Sequence, residues 1–373
     1  MIGLIAALLA ISPAQQPGLT VARGVLMKDG TPFRGIGVNY FNAFMRTLTD
    51  AEDHTYDAGF GQLQAHGIPF ARFMCCGFWP ADMRLYRTDR AEYFRRLDRV
   101  IQSAQRHHVG LIPDLFWNLA TVPDLVGEPC NQWGNPKSKT RAFMRTYVRE
   151  VVTRYLRSPA IWGWEFGNEY NLAADLPNAA QHRPPVAPQY GTPSSRTEQD
   201  EISHEVFRSA LAAFAREVRR YDTRRIIVSG NAFPRPSAWH QMHEHSWTPD
   251  NAAQRDQMLA QDNPDPINTL CVHAYEDYNR IPEAAALARK LGKPLFVGEF
   301  GVPGPPSPEA RRKFSDMLKV LRQEGVPLAA LWVFDYAPQD EWNVTAASDR
   351  AWQLREIEEA NKSMHATPIR GTR

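Results

Sequence analysis

Two short segments of the chain end in or near a glutamate that follows an apolar run. The first is residues 161–169, Ile-Trp-Gly-Trp-Glu-Phe-Gly-Asn-Glu, and the second is residues 294–301, Pro-Leu-Phe-Val-Gly-Glu-Phe-Gly. Each pattern is typical of a buried β-strand that carries a carboxylate at its end. Burying a carboxylate is costly unless it has a partner or a chemical task. Two such groups, Glu169 and Glu299, are what cleavage of a glycosidic bond requires.

That chemistry needs the two carboxylates to converge on one sugar. One carboxylic acid must protonate the departing oxygen, and a second carboxylate must attack the anomeric carbon or activate the water that does. Glu165 lies four residues before Glu169 and is the alternative for the acid. On a strand it points to the same side but deeper, which favours a structural role.

The elements that must position these carboxylates alternate along the chain as strand-like and helix-like segments, which indicates a parallel α/β fold. The predicted strands are residues 33–40, 69–74, 109–116, 160–166, 225–230, 266–273, 294–300 and 326–334. The predicted helices are residues 50–66, 90–108, 139–157, 197–221, 281–291, 307–324 and 349–362. Eight strands in one chain of 373 residues fit a single (β/α)8 TIM barrel, in which catalytic residues stand at the carboxyl ends of the strands.

A doubly wound open sheet is the alternative fold. It predicts a glycine-rich phosphate loop after the first strand, followed by a helix. Gly35-x-Gly37 lacks the third glycine and the helix, so the barrel is favoured.

Composition and charge exclude several classes of partner. The formal net charge is only +2, from 43 basic and 41 acidic residues, so no nucleic-acid partner is expected. The ten tryptophans suit a protein that stacks sugars, although each could equally be core. The sequence carries no cofactor motif, so no cofactor is expected, and it does not reveal the oligomeric state.

The amino terminus has the pattern of an export signal. Residues 2–11 form an unbroken apolar run, and Ser12-Pro13-Ala14 follows it. We therefore predict a signal peptide over residues 1–14, a single catalytic barrel over residues 15–373, and a secreted or periplasmic protein. The alternative is a short buried segment. Ten residues are too few to span a bilayer, so no membrane partner is expected.

Four cysteines and a histidine cluster leave further alternatives open. We expect one disulfide from Cys75 or Cys76 to Cys130, although buried free thiols fit equally well, and Cys271 has no assigned partner. Three histidines between residues 240 and 245 could bind zinc, but they fall in a predicted loop, and we expect no metal. Trp239 or Trp247 could then line a distal sugar subsite.

Several motifs together resemble glycoside hydrolase family 5, in the clan A of retaining barrel glycosidases. The matching motifs are Asn168-Glu169 after strand four, His273-Ala274-Tyr275 after strand six, Gly298-Glu299-Phe300-Gly301 on strand seven, Arg72 on strand two and Trp332 on strand eight. The resemblance covers essentially the whole mature chain. It implies that Glu169 is the acid/base and Glu299 the nucleophile of a double displacement.

The resemblance also implies roles for the neighbouring residues. Arg72 and the Tyr275 hydroxyl would hold Glu299 ionised and aimed, and Asn168 would donate to the sugar 2-hydroxyl. His273 would adjust the proton balance of Glu169. The remaining predicted substrate contacts are Trp332 as the floor under the sugar, Trp117, Asn118 and Asn39.

Strand three and the segment before Glu169 favour one branch of that family. Phe116-Trp117-Asn118 replaces the histidine pair of many cellulases, and residues 147–169 resemble β-mannanases. Tyr170 departs from the proline that often follows Asn-Glu. We therefore expect a β-1,4-mannan type of substrate. Alternatives are a β-1,4-glucanase, an exo-acting β-glycosidase, a metal-dependent barrel hydrolase, and a carbohydrate-binding barrel without catalysis.

Overall fold

Eight parallel strands surrounded by helices form the body of the protein, and the predicted TIM barrel is confirmed. The computed structural model describes residues 17–366, so the predicted signal peptide lies outside the described residues. The strands are β1 (Gly35–Asn39), β2 (Phe70–Met74), β3 (Gly110–Phe116), β4 (Gly163–Gly167), β5 (Ile226–Val228), β6 (Leu270–His273), β7 (Leu295–Phe300) and β8 (Leu328–Leu331). Each lies within one residue of a predicted strand or inside it.

The strands follow one another around the barrel in the order β5-β4-β3-β2-β1-β8-β7-β6. Side-chain amides close the remaining seam between β5 and β6. The Ile227 backbone amide donates to Asn268 Oδ1 at 2.8 Å. Asn263 Oδ1 accepts from the Ser229 hydroxyl at 2.7 Å and from the Cys271 amide at 3.2 Å. These contacts satisfy backbone and side-chain groups that the strand ladder leaves unpaired there.

The helices lie between the strands and in the loops. They span Met45–Thr49, Tyr56–Ala65, Arg84–Thr88, Arg90–Arg106, Thr121–Val126, Lys139–Tyr155, His204–Arg219, Ala238–Glu244, Ala252–Gln261, Ile281–Leu291, Pro308–Gln323 and Trp352–Ala366. The helix predicted over 197–221 begins only at His204, because the Ser203 side chain caps it by accepting from the Val206 amide. The helix predicted over 50–66 begins only at Tyr56 and ends at Ala65, and a separate short helix, Met45–Thr49, precedes the predicted range.

An amino-terminal hairpin, which the sequence did not predict, covers the end of the barrel opposite the carboxyl ends of the strands. Its strands are Leu19–Ala22, Val25–Lys28 and Thr31–Pro32. Leu19 and Leu26 are buried in a cluster with Phe70 and Phe296 from inside the barrel. The Leu19 amide also donates to the Trp162 carbonyl at 2.8 Å. The hairpin therefore keeps water from the lower core.

All four cysteines are buried free thiols. The predicted disulfide from Cys75 or Cys76 to Cys130 is therefore wrong, and the alternative of buried thiols holds. Among the helices of residues 17–366, none is both long and apolar enough to cross a bilayer.

Candidate active site

A cavity of about 410 Å³ opens at the carboxyl ends of the strands. Its lining residues come from the ends of seven strands, all except β5, and from the loops beyond them. They are Phe41, Phe78, Trp117, Asn168, Glu169, Tyr275, Glu299, Trp332, Tyr336, Gln339 and Trp342. Six of the ten predicted site residues therefore face one cavity.

The two predicted carboxylates lie close together in this cavity. One oxygen of Glu169, one oxygen of Glu299 and a ring nitrogen of His273 all lie within 4.8 Å of one another. Retaining glycosidases hold their carboxyl groups about 5–5.5 Å apart, whereas inverting enzymes need about 6.5–9.5 Å to admit a water molecule. The spacing matches direct attack by one carboxylate on the sugar. The same three atoms could ligate a single cation, although His273 and Glu169 already bind each other.

Two donors fix the orientation of Glu299. Arg72 Nη1 donates to Oε1 at 2.7 Å and the Tyr275 hydroxyl donates to Oε2 at 2.6 Å. The pairing of β7 with β6 shifts register between Val297 and Glu299, and such an irregularity redirects a side chain at a strand end. Each oxygen of the Glu299 carboxylate therefore has its own donor, and the two donors together fix the orientation of the group.

Glu169 occupies an unusual backbone conformation just past the end of β4. Its φ is +54°, in the left-handed region that residues other than glycine rarely adopt. Its amide donates to the Gly230 carbonyl at 2.9 Å, and Asn171 exchanges two hydrogen bonds with Ala232. The loop after β5 thus holds the turn that presents Glu169. Burial raises the pKa of Glu169, and the positive charges of Arg72 and Arg235 oppose that shift only in part.

His273 lies between the two carboxylates. Its Nδ1 is 2.8 Å from Glu169 Oε1 and 3.5 Å from Glu299 Oε2. Burial lowers the pKa of His273, the charge of Glu299 opposes that shift and Arg72 adds to it, so that the pKa falls to about 3. The imidazole is therefore neutral near neutral pH, and its single proton can be shared with Glu169 through the short contact.

Arg72 is fully buried and joins residues from several strands. Besides Glu299, its guanidinium donates to the side-chain oxygens of Asn39 at 3.0 Å, Asn168 at 2.8 Å, Asp114 at 3.4 Å and Glu165 at 2.5 Å. Burial alone would lower the pKa of Arg72, but the three carboxylates outweigh it and raise that pKa. Arg72 is therefore a permanent cation beneath the cavity.

Aromatic rings form the walls of the cavity. Trp117 and Trp332 lie with centroids 5.9 Å apart and planes inclined by 27°. The Trp332 indole donates to Gln339 Oε1 at 2.7 Å, and the Arg72 guanidinium carbon lies 4.4 Å from the centre of the Trp117 ring. Two flat apolar faces beside a pair of carboxylates suit the stacking of a pyranose ring.

A comparison with known families decides where the chain belongs. The family model described as cellulase (glycosyl hydrolase family 5) matches residues 27–337. The chain belongs to glycosyl hydrolase family 5. The match covers most of the chain and confirms the predicted family.

Relatives of this family 5 protein include fungal mannan hydrolases. A probable mannan endo-1,4-beta-mannosidase A-1 of Aspergillus terreus is 35% identical over 85 residues, which are 21% of this chain and 22% of that protein. The match thus spans about a fifth of the length of that relative.

Solved structures resemble the whole barrel. The endo-1,4-beta-mannanase from Rhizomucor miehei has a TM-score of 0.67 at 15% identity and covers 94% of this chain and 100% of its own. An exo-beta-1,4-mannosidase from Opitutaceae bacterium strain TAV5 has a TM-score of 0.61 at 16% identity, with 92% and 63% covered. At such identities the similarity shows the fold.

Four predicted substrate contacts of this family 5 chain do not line the cavity. Asn39 is fully buried, and its amide donates to the Gly298 carbonyl at 2.9 Å while its oxygen accepts from Arg72. Asn118 Oδ1 accepts from the Ala120 amide at 2.9 Å and so shapes the turn before the next helix. Arg72 and His273 are also buried, behind the carboxylates they contact.

Sequence reasoning missed five lining residues, all in loops just beyond strand ends. They are Phe41, Phe78, Tyr336, Gln339 and Trp342. An aromatic residue within a few positions of a strand end was the available signal for Phe41, Phe78 and Tyr336, whereas Gln339 and Trp342 lie farther beyond β8 and carried no such signal.

The histidine cluster does not line this cavity, and its segment is helical where a loop was predicted. It lies on the helix Ala238–Glu244 and at its end. His240 pairs with Asp250 at 2.8 Å and His243 packs on Trp239. Neither Trp239 nor the exposed Trp247 lines this central cavity, and the distal subsite stays a prediction.

Proposed function

We propose that this protein is a retaining β-glycoside hydrolase that acts on β-1,4-linked mannan or its oligosaccharides. The observation that carries the proposal is the separation of the two carboxylates, which lie within 4.8 Å of one another through one oxygen each. That distance leaves no room for a water molecule between the sugar and the second carboxylate, as inversion would need. A carbohydrate-binding barrel without catalysis would have no use for such a pair.

In the proposed mechanism Glu299 attacks the anomeric carbon while Glu169 protonates the departing oxygen. The glycosidic bond breaks, and an ester bond forms between the sugar and Glu299. Glu169, now ionised, takes a proton from water, which attacks the anomeric carbon and releases Glu299. The raised pKa of Glu169 supports its part, because an acid must still hold its proton near neutral pH.

Neighbouring side chains support each step in this proposal. Tyr275 and Arg72 hold Glu299 in the direction of attack. Trp332 lies under the sugar, and Asn168 donates to its 2-hydroxyl. The neutral His273 ring keeps its proton and can donate a hydrogen bond from Nδ1 to Glu169 once that carboxyl group has ionised.

The mannan substrate rests on the relatives and on the wall of the cavity. The curated relatives are named mannan endo-1,4-beta-mannosidases, and Trp117 takes the place that a histidine pair has in many cellulases. A β-1,4-glucan and an exo-acting mode are the other candidates within the family. Export of a mature chain beginning near residue 15 belongs to the same proposal and rests on the apolar run of residues 2–11.

The test is to incubate the protein with β-mannan, β-glucan, xylan and aryl β-glycosides and to measure new reducing ends. Mannan should be cut fastest, and proton NMR should show the β-anomer as the first product. Product length separates internal from end-wise cutting. Release of the α-anomer first would refute retention, and no release from any substrate would refute catalysis. Activity that vanishes with a chelator would favour the metal-dependent hydrolase instead.

A further inference from the structure

A second pair of carboxylates lies in the barrel core beneath the nucleophile. Asp114 on β3 and Glu165 on β4 are register partners in adjacent strands, so their side chains share the inner face. Both are fully buried. Glu165 Oε2 accepts from Arg72 Nε at 2.5 Å, and Asp114 Oδ2 lies 3.4 Å from Arg72 Nη2. The mechanism proposed above assigns these two residues no role.

The charges around Arg72 do not balance if every carboxyl group is ionised. The ionisable groups that interact with the pair are Arg72 on β2, Cys271 on β6 and Glu299 on β7, and His273 lies beside Glu299. Asp114 also interacts with Cys75, Cys76 and Tyr170, whose pKa values burial raises, so that they stay neutral. The imidazole is neutral, and burial keeps the Cys271 thiol protonated by raising its pKa. Three anions would then face one cation in a dry core, which is strongly unfavourable. Binding one proton removes one of the anions.

The hydrogen bonds indicate which oxygen carries that proton. Asp114 Oδ1 accepts from the Phe116 amide at 3.0 Å, a contact that favours the ionised form. Glu165 Oε1 is buried and has no hydrogen-bond partner among the described residues. Burial raises the pKa of both groups. The charge of Glu299 adds to that rise at both, the charge of Glu165 adds to it at Asp114, and Arg72 opposes it. Glu165 Oε1 is thus the oxygen on which an uncompensated charge would cost most.

We propose that Asp114 and Glu165 share a single proton and serve as positioning residues that hold the Arg72 guanidinium in place and in charge balance beneath the nucleophile. The proposal rests on the retaining mechanism proposed above. When Glu299 becomes an ester it loses its charge, while the glycosidic bond breaks and the Glu169 proton leaves with the aglycone oxygen. The shared proton stays where it is. The pair then supplies the one anion that still faces Arg72, so the cation does not move between the two steps.

The kinetic test uses the full protein with a 2,4-dinitrophenyl β-mannoside and β-glucoside. This leaving group needs no acid, so the acid limb of kcat/KM against pH reports the state of the nucleophile rather than of Glu169. In Glu165→Gln the remaining Asp114 should stay ionised, and in Asp114→Asn the remaining Glu165 should lose its proton and ionise. The total charge is then conserved, and the acid limb should stay where the wild type has it. The double variant loses the charge, and its acid limb should move to lower pH by about one unit.

A matched control is Glu217→Gln, which removes a buried carboxylate paired with Arg220 on an outer helix and should not move the limb in any background. If the acid limb of the pH profile moved as far in either single variant as in the double variant, the proposal of a shared proton would be refuted. It would also be refuted if the limb moved in none of them, because the pair would then be neutral. If the wild type cleaves neither aryl glycoside, the proposed function has failed. The shared proton is then tested by a second measurement that does not depend on activity.

That second measurement is infrared difference spectroscopy of the protein across neutral pH. The wild type should show the C=O stretch of one buried protonated carboxylic acid from this pair. The stretch should disappear in Glu165→Gln and in Asp114→Asn and persist in Glu217→Gln. Its persistence in both single variants would contradict the proposal even if the double variant does not fold.

Discussion

The side-chain oxygen of Asn168 accepts a hydrogen bond from Arg72 Nη2 at 2.8 Å. Because that oxygen is occupied, the amide nitrogen of Asn168 is the end that faces the cavity. The guanidinium therefore determines which polar group the sugar meets, and it turns an amide that could either donate or accept into a donor.

Asn168→Ala should lower kcat/KM for an aryl glycoside by roughly 100-fold, because a donor to the reacting sugar is lost. A 2-deoxy substrate should be poor for the wild type and should bring no further loss in the variant. A matched control is Asn118→Ala, in which the 2-deoxy penalty should stay as large as in the wild type. A full 2-deoxy penalty in Asn168→Ala would contradict the contact with the 2-hydroxyl.

Glu169→Ala and Glu299→Ala should each abolish turnover of the natural glycan, by at least about 10²–10⁴-fold. On an activated aryl glycoside azide should rescue both, with opposite stereochemistry. In Glu169→Ala azide attacks the glycosyl-enzyme and should give the β-glycosyl azide. In Glu299→Ala it fills the space of the nucleophile and should give the α-glycosyl azide. NMR of the products checks both assignments, and exchanged anomers would reverse them.

Gly298→Ala should impair the acid/base step although it alters no polar group. A Cβ there would lie 2.8 Å from Nε2 and 3.0 Å from Cδ2 of His273, so the ring must leave its contact with Glu169. We expect a loss of about 10- to 100-fold on glycans with poor leaving groups and a much smaller one on dinitrophenyl glycosides. The double variant Gly298→Ala/His273→Ala should be no worse than His273→Ala alone. Gly61→Ala, whose Cβ would meet His107 at an ordinary 3.4 Å, is the control.

His273 should make the protein less stable toward acid. Its pKa falls from an ordinary 6.5 to about 3 on folding, so between those values the unfolded chain binds a proton that the folded protein does not. The free energy of unfolding therefore falls as the pH drops from about 6.5 to 3, by about 2 kcal/mol over the first two units. Urea unfolding at two pH values should show that His273→Gln loses less than the wild type. The exposed His54→Gln should lose as much as the wild type, and an equal loss in His273→Gln would refute the effect.

The barrel could be predicted because most strand interiors are short apolar runs, and such runs alternating with helical segments indicate buried parallel strands. Residues 294–300 are such a run, and β7 occupies Leu295–Phe300. The ends were less predictable. Local capping decides them, as at Ser203, where one side-chain hydrogen bond starts the helix seven residues later than its helical pattern does.

The site was predictable where a polar residue interrupts an apolar strand, as Glu299 does, and unpredictable where depth decides. Asn39 pairs in register with Arg72 on the neighbouring strand. The sequence around Asn39 does not indicate that the arginine binds its side chain and that the residue is buried beneath the cavity. The lining aromatics Phe41 and Trp342 lie in loops, which have no periodicity, so only the folded barrel brings them to the cavity. The amino-terminal hairpin was missed for a related reason, since its strands are four residues or fewer.

The guanidinium of Arg72 is bonded to side chains from or just beyond β1, β3, β4 and β7, so the reactive groups are fixed to the barrel wall and to one another. The loops that border the cavity contribute rings and amides to the sugar but no bond to that cation. Reaction and recognition are therefore separable parts of the molecule. Replacing whole loops beyond β1, β2 or β8 should therefore change which glycan fits the cavity while the catalytic carboxylates and Arg72 keep their positions.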